Sequence, residues 1–325
     1  MKTLELEINS KLSALLKHQF PERGLLSNFL TKLLNMDKVN VYRRVQNIVP
    51  FTLAEAVMIV KHTDIPFNSI FDTSEDKYRS HSYQFYWQDF KNMNEKDIKM
   101  GEDYITAIRL AAMDEDAEFG IAMNNLPLHV TAMYPSLYRF FMLKWMHEFS
   151  DKGEKYRYCD IQIPNFLLEQ QKRYLDACRR VKHTVYISDE TILSRMLRDI
   201  KYFYEIKLIT EKEIEVMKND LQDLVSKIEK YAITGCYPNG AEIDIYTTGL
   251  TFETTYTYLY SSTVKVSMAE VYTSGSMSSV DASACEHMRK WMQALKRTSV
   301  RITDSEKNRI KYLENQYRDL EKFVV

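Results

Sequence analysis

Apolar residues recur at helical spacing through the first part of the chain, in short stretches separated by helix-breaking or capping residues. Leucines and isoleucines three and four positions apart predict a first helix over residues 4–19 and a second over 25–34. Asp37 is a suitable N-cap for a third helix that runs to about Gln46. The residues predicted to face inward on the third helix are Val39, Tyr42 and Val45.

Two further helices are predicted before the pattern becomes polar. Thr52 and Glu55 form a capping-box pair that opens a fourth helix, and a fifth, short helix is predicted over 65–71. Five short helices in about 70 residues predict a compact domain over 1–74, followed by a polar linker near 73–80. The residues predicted to face inward on the fourth helix are Leu53, Ala56, Val57 and Val60.

The remainder, residues 80–325, is predicted to be a larger α+β domain. An aromatic segment at 83–90 begins it, and after the turn-rich stretch 235–240 three alternating runs rich in Thr, Tyr, Val and Ile predict a small antiparallel meander. The fold class is therefore mostly α with a small antiparallel sheet. Helices are predicted at 135–149, 164–182, 189–207, 211–233, 281–297 and 304–323.

Composition constrains the partners of this chain. With 44 basic and 45 acidic residues the net charge is -1, so affinity for nucleic acid has to come from a local basic patch. Four widely spaced cysteines without zinc-ligand spacing indicate reduced thiols, and no run of 18 apolar residues predicts a membrane span. We expect a cytoplasmic protein that needs no metal or other cofactor.

The second and third helices, joined by a short break, have the arrangement that lays one helix in the major groove of DNA. Every charge from Lys38 to Gln46 is positive. Adjacent arginines on a helix are more often ordinary solvated charges, which is the alternative interpretation. The residues predicted to contact bases or phosphates are Lys38, Asn40, Arg43, Arg44 and Gln46, with Ser27 and Asn28 meeting phosphate near the start of the second helix.

The stretch LLSNFLTKLLNMDKVNVYRRVQNIVPFTLAEAVMIVKHTDIPFNSIF, with its YRR triplet and PFTLAEA helix start, resembles the XRE-type helix-turn-helix family of phage repressor and Cro proteins. The resemblance covers residues 5–72 and implies that the third helix reads bases. Asn47 stands where many members have Gly, and Asn also tolerates a left-handed backbone. YPSLYRFFMLKW, ITEKEIEVMKNDL and LKRTSVRITDSEKNRIKYLENQ are loosely similar to the C-terminal regions of uncharacterised bacterial regulators.

Three functions remain open from the sequence. The first is a bacterial transcriptional regulator that binds double-stranded DNA, with a second domain that senses a small-molecule or protein signal or forms a homodimer. The second is a protein-interaction module without DNA binding. The third treats residues 235–325 and the helices before them as a small-molecule sensor. An enzyme is not expected, because the nucleotide-binding, hydrolase and metalloprotease motifs are missing and the histidines are scattered.

Overall fold

The computed structural model describes residues 2–21, 24–63, 65, 70, 83–151 and 154–323. The chain divides into two compact units, Met1–Ser82 and Tyr83–Val325. Each unit has its own hydrophobic core.

The first unit contains the first four predicted helices close to their predicted positions. They are α1 (Lys2–Gln19), α2 (Leu25–Leu34), α3 (Lys38–Val45) and α4 (Leu53–Lys61). The predicted fifth helix falls mostly outside the described residues, although Ile65 and Ile70 are buried in the core. The predicted linker at 73–80 also lies outside the described residues.

The inward face predicted for α3 is partly wrong. Val45 is buried as predicted, but Val39 and Tyr42 are 68% and 60% exposed. Val41, which the prediction omitted, is buried with Val45 against α1 and α2. Four apolar residues within seven positions allow two helical phases. At 3.6 residues per turn Val41 and Val45 lie about 40° apart on the helix surface, whereas Val39 lies about 120° from Val45, so the narrower pair fills the core.

On α4 the predicted face is also partly wrong. Leu53 is 69% exposed, and Ile59, which the prediction omitted, is fully buried. Ala56 and Val60 pack against the core as predicted. The buried face is thus rotated toward Ile59, which turns the first residue of the helix into solvent.

The second unit is built on one mixed sheet of eight strands, with order β1-β7-β6-β5-β2-β3-β4-β8. β2, β3 and β4 are parallel to one another, and the other pairings are antiparallel. The strands are β1 (Gln84–Trp87), β2 (Glu118–Met123), β3 (His183–Asp189), β4 (Glu242–Thr248), β5 (Tyr256–Tyr260), β6 (Lys265–Val271), β7 (Gly275–Ser279) and β8 (Val300–Arg301).

This sheet corrects the predicted small antiparallel sheet. The three predicted strands exist as β4, β5 and β6, but β4 pairs with β3 and is separated from β5 by two strands. β2 and β3 escaped prediction because they are buried on both faces. Such strands read as short apolar runs without the alternation that marks a half-exposed strand.

Helices cover the two faces of the sheet unequally. The main core packs β2 and β4 against helices that include the predicted 135–149 and 211–233 segments, and the predicted capping box of Thr210 and Glu213 is present. One helix, α11, packs on the opposite face. The helices are α5 (Glu95–Ala111), α6 (Leu128–Thr131), α7 (Pro135–Phe149), α8 (Asn165–Cys178), α9 (Ile192–Glu205), α10 (Glu211–Thr234), α11 (Ala282–Thr298) and α12 (Glu306–Lys322).

None of the helices in these described ranges combines the length and apolar character needed to cross a membrane.

Candidate nucleic-acid interface

A three-residue turn joins α2 to α3. Asn35 ends α2 in the left-handed region, with φ 48°, and its N–H donates to the carbonyl of Thr31. Asp37 then caps α3 as predicted, accepting from the N–H of Asn40 at 2.9 Å. The chain therefore passes from α2 to α3 through a short turn with one left-handed residue, and a side-chain cap fixes the start of α3.

The C-terminal end of α3 is held by a buried side chain of α1. Asn9 is 2% exposed, and its Nδ2 donates to the carbonyl of Arg44 at 3.0 Å and to Oδ1 of Asn47 at 2.6 Å. Its Oδ1 accepts from the N–H of Phe51 at 2.8 Å. Asn47 has φ 62°, the left-handed backbone that its residue type tolerates. Asn9 therefore fixes both the last turn of α3 and the chain that leaves it.

Arg44 joins α3 to α4. Its Nε and Nη2 donate to the two carboxylate oxygens of Glu55 at 2.9 and 2.7 Å, and both side chains are about 85% buried, with 15% and 13% exposed. Partial burial acts to raise the pKa of Glu55, but hydrogen bonds from Arg44 and Thr52 outweigh it and hold that pKa below its ordinary value. The pair is a charge-assisted bidentate contact, so the guanidinium of Arg44 is occupied within the unit.

The solvent-facing side of α3 carries both basic and apolar residues. Lys38 and Arg43 are exposed, and neither has an ion-pair partner within the described part of the chain. Val39 and Tyr42, two of the residues of α3 that were predicted to face the core, are exposed beside them. This surface, Lys38, Val39, Tyr42 and Arg43, is called the α3 outer face below.

The other predicted contact residues have mixed positions. Asn40 is exposed but its Nδ2 donates to Asp37 at 2.7 Å, and Gln46 is exposed at the end of α3. Near the start of α2, Ser27 is half-buried and Asn28 is exposed. The structure therefore leaves Lys38, Arg43, Gln46 and Asn28 accessible, while it engages Arg44 and Asn40 in contacts within the unit.

Sequence reasoning missed Asn9 and Glu55 as residues that position this surface. The signal for Asn9 was a lone amide on the apolar side of α1, one turn before Leu12 and two turns before Leu16. For Glu55 the signal was the capping box alone, because nothing in its spacing indicates the second contact with Arg44.

No metal-binding site is evident in the described ranges, since they contain no group of three or more His, Cys, Asp or Glu side chains that could hold an ion. Cys285 is fully buried, with its Sγ near the carbonyls of Leu259 and Val266 at 3.4 Å each. Burial raises the pKa of this thiol to about 11, which disfavours the thiolate that a nucleophile requires.

Comparison of the chain with protein-family models, with curated proteins and with solved structures finds no match in any of the three.

Proposed function

We propose that the first unit binds double-stranded DNA through the α3 outer face, and that the chain is a sequence-specific transcriptional regulator. The observation that carries the proposal is that one side of α3 is held against the rest of the unit while the other side exposes basic residues. Asn9 and Arg44 hold the end of the helix on its inner side, while Lys38 and Arg43 are exposed without an ion-pair partner among the described residues. Because the helix is held by these contacts, the ordering cost of binding falls mainly on the side chains.

Each residue of the α3 outer face has a role that DNA chemistry explains. Arg43 is the candidate for a bidentate contact with guanine, and Lys38, in the first turn, for a phosphate contact. Val39 and Tyr42 can contact the methyl group of thymine, which explains why two large apolar side chains lie beside the basic ones. Arg44 is a positioning residue in this proposal, not a base-reading one.

The second unit is then the part that senses a signal or mediates dimerisation. Its sheet and helices form a separate compact unit of residues 83–325, large enough for its own core. A homodimer would present two copies of α3 to half-sites about 34 Å apart on one face of the duplex.

A protein partner is the second candidate for the first unit. Val39, Tyr42, Ile48 and Leu53 are all more than half exposed, which favours an apolar partner surface. The dependence of binding on salt concentration distinguishes DNA from a protein partner. DNA binding weakens steeply with salt because counterions are released, whereas docking of apolar surfaces does not.

The test is selection from a random duplex pool by the full chain, at two salt concentrations, with Arg43→Ala beside it. We expect the wild type to enrich a motif and Arg43→Ala to lose preference at one position, at a cost of about 1–3 kcal/mol. Lys61→Ala is the control, because it removes an exposed positive charge from α4 and not from α3.

Two results would contradict the proposal. Enrichment by Arg43→Ala that equals the wild type would remove base reading from the α3 outer face. Failure of both proteins to retain any duplex at low salt would leave protein docking as the function of that face.

A further inference from the structure

The second unit contains a cavity of about 310 Å³, partly open to solvent, between the antiparallel half of its sheet and the helix layer. β1, β6 and β7 form one wall, and parts of α5, α6, α7, α8 and α9 form the other. The volume is at the small end of the range for ligand pockets, about 300 to 1,000 Å³.

Close packing of α5 on α8 forms one side of this cavity. A Cβ on Gly101 would lie 2.6 Å from Oε1 of Gln170, so a larger residue there would displace the amide end of the Gln170 side chain. Nε2 of Gln170 donates to the carbonyl of Ile98 and to Glu102, both at 3.0 Å. The wall is therefore fixed by specific contacts, and the cavity beside it is a preformed space.

Two pairs of polar side chains in the lining satisfy each other. Tyr86 donates its hydroxyl to Asp97 at 2.7 Å, and Lys144 forms an ion pair with Asp199. These groups define the polarity of the walls but do not need a ligand.

Two further groups lack such partners. His129 is 7% exposed, and its Nε2 has no hydrogen-bond partner among the described residues. Glu270, on β6, lines the cavity without a cationic partner in the same described ranges, and beside its carboxyl lies the hydroxyl of Thr255. Nε2 of His129 is thus a buried polar atom without a partner, which is costly, and a ligand is one way in which the cost is removed. Glu270 has a hydrogen bond with Thr255 but no cation beside its carboxylate among the described residues.

The charged residues of the lining favour a ligand of positive charge. Asp97, Asp199 and Glu270 are acidic, and among the described residues of the lining Lys144 is the one lysine or arginine. Burial, with Arg179 nearby, lowers the pKa of His129 to about 4, so its ring is neutral at pH 7. Burial raises the pKa of Glu270 to about 7, which a cation beside it would reverse.

Aromatic rings complete the site. Tyr104 and Tyr174 line the same cavity as Glu270, with Phe140 and Phe141 on the α7 side. The face of an aromatic ring attracts a cation and also packs against hydrocarbon. Carboxylate and rings together form a typical receptor for an ammonium group on an apolar body.

We propose that this cavity binds a small organic amine, with its ammonium group on the carboxylate of Glu270 and a hydrogen-bonding group on Nε2 of His129. This proposal names the signal for the sensor role proposed above. It rests on that proposed function, because the amine would be the signal that the second unit senses. Binding itself is a property of the second unit and is measured without DNA.

The test uses the full chain and calorimetric titration with benzylamine, 2-phenylethylamine and cyclohexylamine. Each amine is paired with the alcohol and the carboxylate of matching shape. We expect the amines to bind and to raise Tm, because a ligand that binds only the folded state stabilises it. The alcohols should bind at least tenfold more weakly and the carboxylates not measurably.

Glu270→Gln is the decisive variant. It should weaken amine binding about ten- to hundredfold, the fold-change that corresponds to loss of a charge-assisted hydrogen bond. Glu253→Gln, which neutralises an exposed carboxylate outside the cavity, should leave the affinity unchanged. His129→Gln tests the other end of the site with a fourth ligand, 4-(2-aminoethyl)phenol, which carries a hydroxyl as well as the amine. The variant should weaken binding of that ligand and leave the affinity of the three amines without a second polar group unchanged.

The proposal is overturned if none of the amines binds, if the carboxylates bind more tightly, or if Glu270→Gln keeps full affinity. If the chain binds amines but selects no DNA motif, the proposed function is wrong and the amine site is supported. If the chain selects a DNA motif but binds no amine, the amine site is wrong and the proposed function is supported.

Discussion

Three neighbouring parallel strands each place one titratable side chain near the same end of the sheet. Nε2 of His183 on β3 lies 3.1 Å from Asp244 on β4, and its Nδ1 lies 3.4 Å from Glu118 on β2. The protonated ring donates hydrogen bonds to the carboxylates of Asp244 and Glu118, and these bonds raise the pKa of His183 to about 9. Arg289 and Arg301 pair with the two carboxylates from the other side. The imidazolium is thus one member of a shared charge network.

This network predicts a loss of stability between pH 7 and 9. The pKa of His183 is raised above its unfolded value of 6.5, so its contribution is complete below pH 6.5 and disappears as pH rises through about 9. The upper bound is roughly 3 kcal/mol, from 1.36 kcal/mol per unit of pKa. Urea unfolding at pH 7 and pH 9 measures the difference, and His183→Gln should remove most of it. If the free energy of unfolding of His183→Gln falls between pH 7 and pH 9 as much as that of the wild type, groups other than His183 cause the loss.

Sequence alone could not single out His183. It stood among scattered, single histidines, and its partners lie 61 and 65 residues away along the chain, at Asp244 and Glu118. Only the pairing of β2, β3 and β4 brings the three side chains together.

Asn9 connects three segments of the first unit through one amide. Replacing it with alanine leaves the N–H of Phe51 without that partner. It also removes one of the donors to the carbonyl of Arg44, which still accepts from the N–H of Asn47. A buried group left without a partner costs about 1–3 kcal/mol.

We therefore expect Asn9→Ala to loosen the end of α3 without unfolding the second unit. Amide hydrogen exchange of the full chain should accelerate in residues 38–51 and stay unchanged in α10. Ser10→Ala, at the exposed neighbouring position, is the control. Unchanged protection of residues 38–51 in Asn9→Ala would show that packing alone holds the helix.

The helices were the predictable elements because their ends carry local chemistry. Asp37, the capping box at Thr52 and the one at Thr210 all appear in the structure where the sequence placed them. The phase of α3 was not predictable, since it is set by what α1 and α2 present to it. β2 and β3 were missed because burial on both faces removes the alternating pattern.

The cavity is a property of the whole second unit and has no local sequence signal. Its lining comes from eight segments between Tyr86 and Ser276, which meet because of the sheet order and the helix layer. The DNA-binding surface that we propose lies, by contrast, on neighbouring helices of the first unit. Its candidate residues could therefore be named from the sequence, although Arg44 and Asn40 make contacts within the unit.

The sheet order predicts how the chain responds to truncation. In the described structure β1 pairs only with β7, so a chain that ends at residue 273 leaves β1 without a partner and removes α11 from its face of the sheet. We expect that chain to bind a hydrophobic dye and to lose exchange protection at residues 84–87, while α1 to α4 stay protected. A chain that ends at residue 323 is the control. Retained protection at 84–87 in the shorter chain would show that β1 is held by something other than β7.

The same pairing has a consequence during protein synthesis. Gln84 and its partner Ser278 are 194 residues apart (278 − 84), which at 5–20 residues per second is roughly ten to forty seconds of translation. The four helices of the first unit pack against one another, and all four have been synthesised once residue 61 is added. For that interval the aromatic strand Gln84–Trp87 leaves the ribosome without its neighbour, and it is the segment that we expect chaperones to hold.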